Sequence, residues 1–182
     1  MKVKIHSSFL NTKEKSFIKE ALTFNIKYLF RKNPKLLDNL NIKLEINPRD
    51  STGIFDQDEA DCKGLCFKLT KTRFIVWITN KLINTRAKSI YSKFKEILSY
   101  MFHELVHVHQ YRTGTLKDNN KSPEYRFNGK KFKIRENEDE YEDEYYARPE
   151  EIDAYGREVG LRVRFENYWN EVLKYNYVTA RC

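Results

Sequence analysis

The chain has 182 residues and a mass of 22.0 kDa, which fits one ordinary domain and leaves no room for two large cores. Hydrophobic residues make up 40%, which excludes wholesale disorder, and no run of eighteen apolar residues exists, which excludes a membrane-spanning helix. The net charge of +8 is unevenly spread: between Glu136 and Asp153 ten acids face one base, Arg148, so the rest of the chain carries 33 bases against 16 acids, a body of +17. The acidic segment reads as a solvated loop, 136–148. The basic body suits weak, non-specific contact with nucleic acid or another polyanion. Three cysteines, Cys62, Cys66 and Cys182, cannot make a disulfide framework, and Met1 to His6 lacks the apolar stretch of a secretory signal. Both features predict a reducing, cytoplasmic setting without a membrane partner.

In chain order, Val3 and Ile5 alternate with lysines as a short strand. Asn11 with Glu14 forms a capping box, and Phe17, Ile18, Ala21, Leu22, Ile26 and Leu29 then recur at helical spacing, predicting a helix over 12–31. Ile42, Leu44 and Ile46 alternate as a half-buried strand, and 50–61 is a polar loop. Leu65 to Leu69 and Phe74 to Ile78 read as a hairpin around Lys71-Thr72. The second is apolar throughout, as in a strand covered on both faces.

The strongest helical stripe is Ile90, Phe94, Ile97, Leu98, Met101, Phe102, Leu105 and Val106, predicting a helix over 89–111 that stops near Gly114. A loop over 115–148 follows, with a hairpin at Asn128-Gly129. Pro149 then opens a last helix to about residue 175, kept amphipathic by Ile152, Val159, Val163, Tyr168, Trp169 and Val172 and weakened at Gly156 and Gly160. There is no internal repeat and no βαβ alternation. The expected class is α+β: one domain over 1–182 with a small, mostly antiparallel sheet of three or four strands packed with three helices.

The chemistry concentrates in His103-Glu104-Leu105-Val106-His107, inside the best-defined helix. Residues four apart share a helix face, so both imidazoles reach one metal ion while the adjacent Glu104 stands beside the metal's water; this is the HExxH arrangement of metallopeptidases. Leu105 and Val106 belong to the apolar stripe, which turns the histidines toward a cleft. His109 points about 120° or more away and is not a ligand, while Gln110 returns to the metal side as a supporting residue. His6 has no supporting context. Zinc requires a third protein ligand and an open position. No histidine follows His109, and Thr113 stands where an extended HExxHxxGxxH motif needs histidine, so a downstream ligand is a carboxylate. Glu150, Glu151 and Asp153 at the start of the last helix are available, as is the run Glu136 to Glu144.

The string from His103 to Tyr111, preceded by three strands and followed by Arg148-Pro149-Glu150-Glu151-Ile152-Asp153-Ala154-Tyr155, resembles the small gluzincin-type metallopeptidase domains, among them SprT-like proteins, ImmA/IrrE-like peptidases and short phage-encoded metallopeptidases. The resemblance covers roughly residues 40–165. It implies a third ligand Glu in the second helix followed three residues later by Ala, which matches Glu151 and Ala154. Two departures stand out: Tyr155 occupies the position of a supporting Asp, and no cysteine-rich ribbon follows, so Cys62 and Cys66 read as plain reduced cysteines.

The implied function is a zinc-dependent endopeptidase acting on protein or peptide substrates in the cytoplasm, of the host cell or the virion if phage-encoded. Zn2+, one per chain, sits on His103, His107 and Glu151 and activates water; Glu104 serves as general base and acid, and Tyr155 as a transition-state stabiliser. The substrate is expected to run along Phe74 to Ile78 as an added strand. The competing expectation is a nucleic-acid-associated zinc protein without proteolytic activity.

Overall fold

A computed structural model describes residues 1–47, 63–118, 124–133 and 145–179. The polar loop 50–61, the acidic run 136–144, Cys62 and Cys182 lie outside the described residues. Strand β1 (Lys2–His6) leads into helix α1 (Thr12–Leu29), then β2 (Asn41–Ile46), β3 (Gly64–Lys68), β4 (Arg73–Ile78), helix α2 (Ile90–Thr113), the short strands β5 (Leu116–Asp118), β6 (Glu124–Phe127) and β7 (Lys130–Lys133), and helix α3 (Pro149–Thr179).

Local sequence signals place most of these boundaries. Asn11 Oδ1 accepts from the Glu14 amide at 3.0 Å and Glu14 Oε2 from the Asn11 amide at 2.9 Å, closing the capping box of α1. Ser89 caps α2, and Gly114 ends it at φ 77°. Asn128 and Gly129 both have positive φ, 50° and 82°, the backbone that a two-residue hairpin between β6 and β7 requires.

The α+β class holds, with a main sheet in the order β1-β2-β4-β3. Its strand directions differ from the expectation. Only β3–β4 is antiparallel, whereas β1–β2 and β2–β4 are parallel. Helix α1 is the crossover between β1 and β2, so one βαβ unit exists where no alternation was expected. β4 is an interior strand, which accounts for its unbroken apolar run: Phe74, Val76 and Ile78 join the main core and Ile75 and Trp77 are buried on the opposite face. An interior strand has both edges hydrogen-bonded, so β4 cannot receive a substrate strand. β3 is the end strand beside α2.

The core brings α1, α2, α3 and the sheet together. Phe17 of α1 stands 6.0 Å from Phe94, 5.6 Å from Phe165 and 4.8 Å from Trp169, ring centre to ring centre, so one aromatic side chain joins all three helices. On α3 the buried stripe is Glu151, Ala154, Leu161 and Phe165. Ile152, Val159 and Val163, expected on that face, are exposed because they lie on the far side of the helix. A second antiparallel sheet, β5-β6-β7, was foreseen only as a hairpin. It carries its own small cluster, Leu116, Tyr125 and Phe127, and is pinned to α2 by Tyr111, whose hydroxyl donates to Asp118 at 2.7 Å.

Gly156 and Gly160 are exposed within α3, and a Cβ added at either meets nothing within 4 Å. Replacing each with alanine is expected to stabilise the protein by up to about 1 kcal/mol, raising Tm by about 2–4 °C per site in a thermal melt; an unchanged or lower Tm would show that packing outside the helix needs these glycines.

Candidate metal centre

The site lies where the middle of α2 meets the first turns of α3. His103, Glu104, His107, Glu150 and Glu151 are all buried. Burying that many ionisable groups is costly unless each finds a partner, and the hydrogen bonds show how the group is held.

Gln110, one turn after His107, is wholly buried and acts as the anchor. Its amide nitrogen donates to the Glu150 carbonyl oxygen at 2.9 Å and to Asp153 Oδ2 at 3.0 Å, both pure acceptors, which fixes the amide orientation. The amide oxygen therefore faces His107 Nδ1, at 2.8 Å, and Nδ1 must carry a proton to donate to it. His103 Nδ1 meets the Glu158 carboxylate at 3.2 Å and donates in the same sense. With both Nδ1 atoms occupied as donors, both Nε2 atoms turn to a common point. They stand 3.2 Å apart, with Glu151 Oε2 3.0 Å from His103 Nε2 and Glu151 Oε1 3.3 Å from His107 Nε2. Two imidazole lone pairs and a carboxylate converge, an arrangement that repels itself unless a cation sits among them. The donor set fits a metal ion.

Without a metal, a proton is the cation. Burial alone would lower the His103 pKa, but hydrogen bonds to Glu151 and Glu158 outweigh it and push it up to about 10. His107 also moves up against its burial, through Glu151 and the charge of Glu104. Glu151 is held well below the usual carboxylate range despite burial, because both histidines donate to it. Glu104 is shifted upward by burial, opposed by the charges of His107 and His103.

The expected ligands His103, His107 and Glu151 thus come together, with Glu104 beside them. Glu150, left open by the sequence, turns the other way. Burial raises its pKa, and it receives the Tyr125 hydroxyl from β6, so the second sheet steadies the start of α3. His109 packs on Phe30 with ring centres 4.9 Å apart, and burial lowers its pKa to about 4; His6 lies at the far end of the sheet in β1.

A cleft of about 890 Å³ opens onto His103 and Glu104, walled by Tyr100, Tyr145, Tyr146 and Tyr155. Tyr155 rests its ring 4.4 Å from that of His103, and its hydroxyl is hydrogen-bonded to Tyr146. Gly64 of β3 borders the same cleft. A Cβ there would fall 2.9 Å from Ile78 Cδ1 and 3.1 Å from Glu104 Oε1, so any larger residue would have to push the ends of these two side chains aside.

Three residues of the site escaped the sequence reading. Glu158 supplies the supporting carboxylate expected at position 155; its seven-residue spacing from Glu151, two turns along one helix face, was the available signal. Tyr145, whose hydroxyl is hydrogen-bonded to Glu151, sits in a Tyr-Tyr pair with no periodic signal. Gly64 follows from a tertiary approach alone.

Set against known proteins, the chain matches no family model, no curated protein and no solved structure. Among the described residues, no helix is long and apolar enough to cross a membrane.

Glu151→Ala is expected to abolish metal retention through dialysis against a mild chelator, whereas Glu150→Ala retains most of it; the reverse pattern would exchange their roles. The raised His103 pKa has a further consequence. The protein without metal gains stability from this proton in full below about pH 6.5, and loses it as pH rises toward 10. Thermal melts of chelator-treated protein should therefore decline over that interval more steeply than melts of metal-loaded protein; parallel curves would show that metal and proton do not compete.

Proposed function

We propose that the protein is a zinc-dependent endopeptidase of the gluzincin type, with His103, His107 and Glu151 as zinc ligands and Glu104 as general base and acid. The observation that carries this reading is the convergence of the three donors at 3.0–3.3 Å from one another, with the buried Glu104 beside them and not one of the three. Tetrahedral zinc with bonds of about 2.0–2.1 Å has ligand-to-ligand edges of about 3.3 Å, close to these separations. A purely structural zinc site closes its fourth position with protein and has no use for a general base.

When bound, zinc supplies Lewis acidity and lowers the pKa of a coordinated water toward neutrality. The remaining tasks fall to the chain. Glu104, whose pKa burial shifts upward, takes a proton from the attacking water and delivers it to the leaving amine. Gln110 and Glu158 fix the tautomers of His107 and His103. Tyrosine hydroxyls on the cleft wall stabilise the developing oxyanion, Tyr145 foremost because it already reaches Glu151, with Tyr155 packed on the His103 ring as the second candidate. An extended peptide lies in the cleft beside β3, where the absent side chain of Gly64 leaves Glu104 accessible. A reducing compartment such as the cytoplasm suits the free thiol of Cys66.

Glu104→Gln should retain stoichiometric zinc and lose cleavage of an unfolded protein such as casein by at least about a hundredfold, the usual worth of a general base. Normal cleavage by this variant would remove Glu104 from the mechanism, and absence of cleavage by zinc-loaded wild type would remove the peptidase assignment.

A further inference from the structure

Two faces of α3 line two different hollows. Tyr155, Glu158 and Arg162 border the cleft that opens onto His103 and Glu104. Gly156, Arg157, Gly160 and Arg164 line a separate cavity of about 730 Å³ between α3 and the end of α1. Arg31 and Lys32 close it from the α1 side, and among the described residues no Asp or Glu lines it. A second hollow of about 590 Å³ shares Arg164 and Tyr28 with the first and adds Lys19 and Lys27. Its single acid, Glu20, already accepts the Tyr168 hydroxyl at 2.8 Å.

The two hollows adjoin at Tyr28 and Arg164, and together they are lined by six cations, Lys19, Lys27, Arg31, Lys32, Arg157 and Arg164. Arg157 is engaged by Asp153 at 2.8 Å. Among the described residues, no carboxylate pairs with Lys19, Lys27, Arg31, Lys32 or Arg164. The guanidinium groups of Arg31 and Arg164 rest on the ring of Tyr28, 3.8 and 3.7 Å from its centre, and so are held in place before any ligand arrives. His109 Nδ1 faces this side of α2, buried and, among the described residues, without a hydrogen-bond partner.

The glycines give this groove its depth. Glycine inside an exposed helix weakens it, and at 156 and 160 an added Cβ would meet no described residue outside the helix within 4 Å. Two local costs without a packing return mark a position kept open for something else. Here they leave the wall of the cavity bare between Arg157 and Arg164.

We propose that this groove binds the phosphate backbone of a single nucleic-acid strand. From Lys19 to Leu29, α1 advances about 15 Å, so the cations are spread along a path rather than gathered around one phosphate. A cationic groove that follows the backbone is how proteins hold single strands without reading sequence. The groove and the zinc cleft use different faces of α3, so this assignment does not depend on peptidase activity.

The test uses the full chain and a fluorescein-labelled single strand of about a dozen nucleotides, read by anisotropy over a range of salt concentrations. Wild type should bind with a clearly negative slope of log affinity against log salt. The double variant Arg164→Glu with Lys32→Glu should weaken binding by about tenfold or more and flatten the slope by about 0.7 for each phosphate no longer neutralised. Lys130→Glu, a charge reversal of equal sign on the exposed end of β7, should change little. Gly160→Glu and Gly160→Gln, at a position with open space, keep the test valid if the double variant is unstable; glutamate should weaken binding well beyond glutamine. Equal losses from Lys130→Glu and the groove variants would reduce the effect to diffuse charge and overturn the site. Displacement of the strand by equimolar inorganic pyrophosphate would make the ligand a free phosphate compound instead, and a slope near zero would exclude phosphate altogether.

Discussion

Three electron-pair donors cannot be turned toward one another inside a protein unless something positive holds them there. His103 Nε2, His107 Nε2 and the Glu151 carboxylate are so turned, within 3.0–3.3 Å. Much of the surrounding structure serves to keep them that way. Gln110 and Glu158 occupy the outer ring nitrogens, the Glu150 carbonyl and Asp153 lock Gln110, and Tyr125 of the small sheet donates to Glu150. Each link satisfies a buried polar group that would otherwise cost about 1–3 kcal/mol. The network is therefore what makes this group tolerable at the heart of a helix interface.

Helix α2 does two jobs with one period. Phe94, Ile97, Leu98, Met101, Phe102, Leu105 and Val106 are wholly buried in the main core. That packing fixes the axial rotation of the helix, and the rotation in turn decides that His103, Glu104, His107 and Gln110 meet α3. The aromatic contact of Phe17 with Phe94, Phe165 and Trp169 sets α3 against α2 from a distance. The site's geometry is thus held from the core, and a cavity there would loosen donors that the cavity never touches.

Helix α3 divides its circumference among three environments. One stripe, with Ala154, Leu161 and Phe165, belongs to the core; Glu151 and Glu158 reach the histidines; Gly156, Arg157, Gly160 and Arg164 form the wall of a cationic groove. This sharing explains its weak amphipathic pattern. A helix that turns ionisable groups to two faces cannot also present a clean apolar stripe, which is why Ile152, Val159 and Val163 are exposed although their pattern suggested a buried face.

What the sequence determined by itself is local in origin. Capping at Asn11 and Ser89, the stop at Gly114, the turn at Asn128-Gly129 and the face shared by His103 and His107 all follow from contacts within a few residues, where chain geometry leaves few choices. The helix count and the α+β class were legible on the same ground, and a carboxylate partner for HExxH at the start of the last helix, Glu151, was expected from the lack of any later histidine and from the family resemblance. Tertiary structure alone decided the rest. The parallel pairing of β1 with β2, the interior place of β4, the second sheet, and the partnership of Glu158 with His103 depend on how elements far apart in sequence pack. Periodicity says which residues share a face. It does not say what that face will meet, because that is settled by the burial of side chains from every element at once.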